Sequence, residues 1–331
     1  MAILWIITAI AVALIIYLST LPGKYEITVS KSINADKQDV FNQINDFRSW
    51  PNWSPWLIHE PDCSLKYSES PNEVDGSFHW DGKFIGAGSL THQVIANGKY
   101  IEHQLQILKP FKSQSKTTFD FETTKDGTLV TWTLQGKMPF LFRPMVRRVK
   151  EMINQDYEIG LAQLSGLLCP EDEHPEFNFL GTQNRESTSY ISLPWQGSLE
   201  EMPEAMQKGF AELSAYLESS ATKPIGQPFT LYHRVKKRGT YFVVEMAFPV
   251  EAGTEDDKYQ IKNINGGKFH QTQLKGSYDF LKLAWYSAIS HLKMTKVKMD
   301  WSRPCVELYE NDPNNIESSN ELVTSIYIPT K

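Results

Sequence analysis

The sequence predicts an α+β chain in three parts. These are an N-terminal transmembrane helix, an antiparallel sheet wrapped around a long C-terminal helix, and a duplicated strand-helix-strand-strand domain. Three observations carry this reading. Residues 2–20 are apolar and uncharged. From 24 to 168, alternating segments are punctuated by Asp-Gly and Asn-Gly pairs and close on a long amphipathic stretch. The C-terminal half repeats itself: Trp195-Gln-Gly-Ser-Leu-Glu returns 79 residues later as Leu274-Lys-Gly-Ser-Tyr-Asp, and Phe242-Val-Val-Glu-Met-Ala-Phe-Pro-Val returns at an offset of 80 as Leu322-Val-Thr-Ser-Ile-Tyr-Ile-Pro-Thr. Such self-similarity marks a doubled supersecondary unit whose halves each need the other to cover an apolar face. The parts run 1–23, 24–168, a linker at 169–177, and 178–331.

A chain of 331 residues suits two domains of ordinary size. Its net charge of −6 argues against a nucleic-acid partner, since such surfaces are usually basic. The basic run Arg234-Val-Lys-Lys-Arg238 precedes Gly239 between two strands and reads as a solvated hairpin tip. Cys63, Cys169 and Cys305 are odd in number and scattered, which fits neither a disulfide framework nor a zinc site. The His residues show no ligand spacing, and no phosphate loop, dinucleotide fingerprint, nucleophile elbow or metalloprotease motif is present, so no cofactor and no metal are expected. Gly86-Ala-Gly88 reads as a bulge or tight turn.

Residues 2–20 are long enough to cross most of a hydrocarbon core roughly 30 Å thick. A secretory signal would carry basic residues before the apolar run and small residues at a cleavage site after it. Only Met1 precedes this run and Leu21-Pro22-Gly23-Lys24 follows it, which favours an uncleaved anchor over a cleaved signal. Lys24, Lys31 and Lys37 follow the span and no Lys or Arg precedes it. The positive-inside rule then places the chain in the inner (cytoplasmic) membrane, single-pass, with its soluble parts in the cytoplasm.

In the first domain Tyr25, Ile27, Val29 and Ile33 alternate with polar residues as a half-buried strand does. Asn34-Ala-Asp36 opens a short helix with Val40, Phe41 and Ile44 on its inner stripe. Turns at Asp75-Gly76, Asp81-Gly82, Asn97-Gly98 and Asp126-Gly127 separate strands. The closing helix, about 142 to 168, carries Val149, Met152, Ile153, Tyr157, Leu161, Leu164 and Leu168 on one stripe. The strand before Ala35-Asp36-Lys-Gln-Asp-Val-Phe, the segment Asn45-Asp-Phe-Arg-Ser-Trp50-Pro-Asn-Trp53-Ser-Pro-Trp56 and this helix resemble the START/Bet v 1-like (SRPBCC) family, in particular its polyketide cyclase/dehydrase-type members. The resemblance implies a helix-grip fold with an elongated cavity for an apolar or amphipathic small molecule, and does not imply catalysis. The Trp cluster is expected to plug one end of that cavity.

Cys169-Pro-Glu-Asp-Glu-His-Pro-Glu-Phe-Asn is acidic and aperiodic, a stiff spacer in which His174 is solvated. In the doubled domain Ser198 to Glu201 reads as a capping box, followed by a helix with Met202, Met206, Phe210, Leu213 and Leu217 on one face. Ser277 caps a second helix with Leu281, Ala284, Ala288 and Leu292 on its stripe and Trp285 beside it. Both helices are expected on one face of a single sheet, with a cleft on the other. Alternation separates Cys305, Glu307 and Tyr309 from Val306 and Leu308, and Tyr241, Val243, Glu245 and Ala247 from Phe242, Val244, Met246 and Phe248. Glu245, Glu307, Tyr309, Tyr232, Ser325 and Tyr327, with Trp285, are expected to share the cleft.

Lys275-Gly-Ser-Tyr278, Val306-Glu-Leu-Tyr309 with Asp312-Pro313, and Glu321-Leu-Val-Thr-Ser-Ile-Tyr-Ile-Pro329 resemble the GyrI-like domain, also the effector-binding part of some AraC- and MerR-type regulators. The resemblance implies a pocket between the repeats with an acidic floor for cationic or aromatic small molecules, and Glu307 matches that acid by position. Many members carry Thr-Glu-Ile-Tyr in the last strand; Ser325 stands at its second place here, and Glu245 occupies the equivalent place in the other repeat. A carboxylate among rings attracts a cation, each ring adding about 0.5–2 kcal/mol. The same desolvation raises its proton affinity, as a general base requires. The leading expectation is a membrane-anchored small-molecule-binding or sensor protein for apolar or cationic aromatic ligands. The alternatives are a GyrI-like hydrolase of electrophiles using Glu245 or Glu307 as base, and an interaction module docking on an unidentified protein.

Overall fold

The structure, a computed structural model, describes residues 1–236 and 241–331, with the side chains of 234–236 also left aside. Of the basic run 234–238 read as a hairpin tip, the backbone of 234–236 is strand, and the rest of the run and all its side chains lie outside the described residues. The chain divides into two compact units, Met1–Asp172 and Glu173–Lys331.

The first unit begins with α1 (Ala2–Thr20), apolar and long enough to cross a membrane, and almost wholly exposed. It continues through β1 (Lys24–Ile33), α2 (Lys37–Asn45), β2 (Ser64–Tyr67), β3 (Ser77–Asp81), β4 (Ala87–Ala96), β5 (Tyr100–Lys109), β6 (Ser113–Thr124), β7 (Gly127–Lys137) and α3 (Val146–Leu168). The sheet is antiparallel with order β1-β7-β6-β5-β4-β3-β2. The predicted turns fall between these strands. Asp75 and Gly98 hold φ of 66°, and Gly86, at φ 76°, precedes a register shift, as a bulge requires. Asp36 caps α2 by accepting from the Gln38 N–H.

The Trp segment fills the space between sheet and α3. Trp50 and Trp53 are fully buried among Phe119, Trp132 and Tyr157, and Trp132 stacks on Tyr157 with ring centroids 3.6 Å apart. A deep indole usually finds an acceptor for its N–H, and two of these three do, while Trp53 Nε1 is buried without one among the described residues. Trp50 donates to the Ile44 carbonyl at 2.9 Å and Trp132 to Thr117 Oγ1 at 2.9 Å. Along α3, Val146, Tyr157, Leu161 and Leu164 are buried and Ile153 and Leu168 half-buried, while Met152, and Met145 just before the helix, are exposed.

The second unit runs β8 (Glu176–Arg185), β9 (Thr188–Ser198), α4 (Met202–Ser219), β10 (Phe229–Lys236), β11 (Tyr241–Val250), β12 (Lys262–Ile264), β13 (Gly267–Lys275), α5 (Leu281–Met294), β14 (Cys305–Tyr309) and β15 (Val323–Pro329). Its sheet has the order β12-β9-β11-β10-β14-β15-β13-β8. The repeats β9-α4-β10-β11 and β13-α5-β14-β15 thus meet at the antiparallel pair β10/β14, with β8 and β12 added at the edges. Gly276 of the repeated Gly-Ser adopts φ 135°, and a Cβ there would lie 2.5 Å from the His174 carbonyl oxygen.

Two sequence expectations change. The capping box is only half made: Glu201 accepts from the Ser198 N–H, but the Ser198 hydroxyl also turns to that carboxylate, and α4 starts one residue after Glu201. The spacer 169–177 is bound at both ends. In the first unit Cys169 Sγ donates to the Asn34 carbonyl and Asp172 accepts from Asn34. In the second unit Glu173 accepts from Ser319, His174 N–H donates to Asn320, and Glu176 and Phe177 are already strand. Acidic and Pro-rich composition removes helical periodicity without forbidding such side-chain bonds.

Because Trp132 touches Tyr157, Phe119 and both deep indoles, Trp132→Ala is expected to cost about 3–5 kcal/mol. Urea denaturation followed by near-ultraviolet circular dichroism checks this as a lower midpoint for the first unit.

Candidate functional site

The register of the second sheet decides which side chains share a face. Leu231 of β10 lies opposite Glu245 of β11 and opposite Val306 of β14. Glu245 therefore shares a face with Val306, and Glu307 points the other way. Val306 in turn faces Tyr327, and Leu308 faces Ser325. Tyr232 is opposite Val244 and Cys305, which puts it with Glu307. Met246 and Phe248 pack against Leu213 and Leu217 of α4, so the Glu307 face is the helix face.

The expected single constellation is thus two. Glu307, Tyr309, Tyr232 and Trp285 come together between the sheet and the helices, not on the open face; Glu245, Ser325 and Tyr327 lie on the opposite side. Alternation within one strand yields two sets of residues, but the match of sets between strands depends on cross-strand pairing.

Glu307 is 1 % exposed, and Tyr309 is buried beside it. Tyr309 Oη donates to Oε1 at 2.7 Å, Trp285 Nε1 from α5 donates to Oε2, and Tyr232 Oη lies 3.3 Å from both oxygens. Thr230 Oγ1, in the row opposite Glu307, is 3.0 Å from Tyr309 Oη. Tyr232 and Trp285 are only half-buried and stack edge to face at 4.9 Å, forming the outer layer over the acid. Tyr278 and Phe210 meet the Tyr309 ring edge-on, each at 5.6 Å. Among the described residues no Lys, Arg or His is paired with Glu307. Burial pushes its carboxyl above the ordinary value, and the bonds from Tyr309, Trp285 and Tyr232 work against that rise. Burial and the adjacent acid push Tyr278 up to about 12. Burial also pushes the neighbouring Cys305 thiol to about 12.

Glu245 is a different carboxylate. Lys262 Nζ lies 2.8 Å from Oε2, His233 Nε2 lies 2.9 Å from Oε1, and Ser192 Oγ donates to Oε2. Burial would raise its pKa, but these bonds from His233, Lys262 and Ser192 hold it at about 2. Its charge is already balanced. On the same face Gln271 Nε2 donates to Ser325 Oγ at 3.0 Å, and Arg185 covers the Tyr327 ring at 4.9 Å.

Sequence reasoning missed Thr230, Tyr278 and Phe210 around Glu307, and Ser192, His233 and Lys262 around Glu245. Alternation with Tyr232 would have found Thr230, and Tyr278 stood in the quoted Lys275-Gly-Ser-Tyr motif. Phe210 stood on the apolar face of the α4 helix, and Ser192, His233 and Lys262 carry no local signal. Two grooves lie elsewhere. One, about 890 Å³, is bordered by Glu26, Gln135, Lys116 and Gln104. These form one cross-strand row, but His103, Tyr25 and Ser115 of the alternate parity border the groove as well, so its lining comes from both sets of alternating residues. The other, about 460 Å³, runs along α4 beside Trp195 and Met246.

A curled sheet closed on one long helix, and a doubled sheet holding a buried acid under rings, both belong to small-molecule-binding architectures. Comparison with known families says which. Residues 24–168 match the family described as polyketide cyclase / dehydrase and lipid transport, and residues 183–331 match the GyrI-like small molecule binding domain. The two matches follow one another in the order the sequence resemblances suggested. Among curated proteins nothing matches. Solved structures similar to parts of it include protein MLL2253 from Mesorhizobium loti, 15 % identical, covering 45 % of this chain and 99 % of that one at a TM-score of 0.36. CalU16 from Micromonospora echinospora is 15 % identical, covering 46 % and 82 % at a TM-score of 0.33. SAV2435 bound to tetraphenylphosphonium is 14 % identical, covering 47 % and 94 % at a TM-score of 0.38. Likenesses this distant say nothing of what this chain binds.

The two carboxylates are expected to leave opposite marks on stability. Glu245 titrates near 2 in the folded chain, below its ordinary value near 4.3. It stabilises above that ordinary value, and the gain is lost as pH falls through the folded pKa. Glu245→Gln should therefore weaken the second unit at neutral pH, with the deficit shrinking in acid. The Glu307 pKa is raised, so its linked stabilisation is present at low pH and is lost as pH climbs through the folded value. Glu307→Gln should gain on the parent as pH rises. Urea midpoints of both variants across pH check the two signs.

Proposed function

We propose that the chain is a membrane-anchored small-molecule-binding protein, and that the second unit takes a cationic aromatic ligand on Glu307 among the rings of Trp285, Tyr232, Tyr309 and Tyr278. One observation carries this reading: Glu307 is a buried carboxyl that has only neutral hydrogen-bond donors and no cationic side chain paired with it among the described residues. Buried charges are normally paired, so a cation is the partner this acid lacks. The ring faces add cation–π attraction, about 0.5–2 kcal/mol each. Entry requires Trp285 or Tyr232, the half-buried outer pair, to swing aside. Glu245, Ser325 and Tyr327 take no part.

The anchor in this proposal is α1, with the soluble units on the cytoplasmic side of the inner membrane. Support comes from its length, its uncharged composition, and the lysines that follow but do not precede it.

Tetraphenylphosphonium, a permanent aromatic cation, is a suitable probe. Glu307→Gln is expected to weaken its binding by at least about tenfold, or ~1.4 kcal/mol, in isothermal titration. Unchanged affinity would remove the proposal. The hydrolase reading is supported by the raised pKa of Glu307, but both oxygens of that acid already accept from ring donors and would have to release them before acting as a base. Turnover of an electrophilic probe that is lost in Glu307→Gln while tetraphenylphosphonium still binds would establish catalysis instead.

A further inference from the structure

The end of α1 is not a loose tether. Only Leu21, Pro22 and Gly23 separate it from β1, and three residues span at most about 10 Å. The join is also clamped. Arg143, in the 3-10 turn Phe140–Met145 that precedes α3, donates to the Leu18 and Leu21 carbonyls at 3.2 and 3.3 Å. Met138 N–H donates to the Gly23 carbonyl at 2.7 Å, and Leu18 is the one described residue of α1 that is buried. With α1 about 28 Å long, its last turn reaches the edge of the hydrocarbon layer, and the headgroup layer beyond is only about 5–7 Å thick. Whatever surrounds Arg143 therefore meets that layer.

What surrounds it is an apolar collar. Leu141 is 71 % and Phe111 76 % exposed, and Leu108, Phe140, Phe142 and Met145 are exposed beside them. Phe111, from the loop between β5 and β6, comes to within 6.4 Å of the Phe142 ring, so two segments far apart in sequence build one patch. Arg143 lies over the Phe140 ring at 4.9 Å. Basic residues flank the patch: Lys112 follows Phe111, Lys24 and Lys137 pair across β1 and β7 at the exit of α1, and Arg147 and Arg148 stand in the first turn of α3. Arg147 is engaged by Glu151, which leaves Lys24, Lys112, Lys137 and Arg148 to carry the positive balance.

We infer that this collar is seated in the headgroup layer of the membrane that α1 crosses. Its aromatic and aliphatic side chains reach the acyl boundary and its basic rim meets anionic headgroups. The inference rests on the reading of α1 as an anchor. It adds that the first unit lies against the bilayer in one fixed attitude.

The test uses the full chain reconstituted in nanodiscs of phosphatidylcholine and phosphatidylglycerol. Cys63→Ser removes the half-buried native thiol, and a spin label is placed at Leu141→Cys, or at Val74→Cys on the loop between β2 and β3 as an exposed control. Power-saturation electron paramagnetic resonance compares collisions with oxygen and with a water-soluble nickel chelate. The expected result is an oxygen-to-nickel ratio several-fold higher at 141 than at 74. Equal ratios in a chain that remains with the lipid overturn the collar while leaving the anchor intact. A label at 141 shielded from both reagents would show a protein partner there, and also overturns it. A chain that does not associate with lipid at all removes the anchor, and the collar with it.

Discussion

Glu307 has to remain in a place that water does not reach, and the doubled domain is organised around that demand. Each oxygen of the acid has donors, and they come from three elements: Tyr232 on β10, Trp285 on α5 and Tyr309 on β14 itself. The first belongs to one repeat and the other two to the second, so neither half builds the group alone. Desolvating a carboxyl is costly, and hydrogen bonds from hydroxyl and indole groups offset only part of that cost because they carry no net charge. A raised pKa is the result. The group is satisfied enough to fold and still attractive to a cation.

Glu245 shows what the same residue type becomes one face away. Lys262, His233 and Ser192 close on it, and its proton affinity falls rather than rises. The difference lies in depth and neighbours together: Glu307 is fully buried with neutral donors, whereas Glu245 is less deeply buried and held by Lys262 and His233. Sheet parity creates this division of labour: one carboxylate locks strands β9, β11 and β12 together, while the other lies under the helices with no cationic side chain paired to it among the described residues.

In the first unit the aromatic residues do the opposite work. Trp50, Trp53 and Trp132 interlock with Phe119 and Tyr157 to fill the space between the sheet and the C-terminal half of α3. The 3-10 turn before that helix carries exposed apolar side chains, and its Arg143 binds the end of α1.

Much of this architecture was legible in the chain. The turns at Asn97-Gly98 and Asp126-Gly127, the cap at Asp36, the buried Trp segment and the doubled unit follow from local chemistry, because positive φ, free helix N–H groups and apolar spacing leave their mark within a few residues. Glu307, Tyr309, Tyr232 and Trp285 could be singled out for the same reason. Which of them would meet could not. Glu245 and Glu307 look alike in their own strands, and only the pairing of Leu231 with both neighbours sends them to opposite faces. Likewise Phe111 and Phe142 form one patch only when the β5–β6 loop closes on the start of α3. Sequence alone determined the elements and the chemical character of each face; register and long-range packing decided which faces coincide, because a strand's two-residue period repeats identically whichever side is turned to the helices.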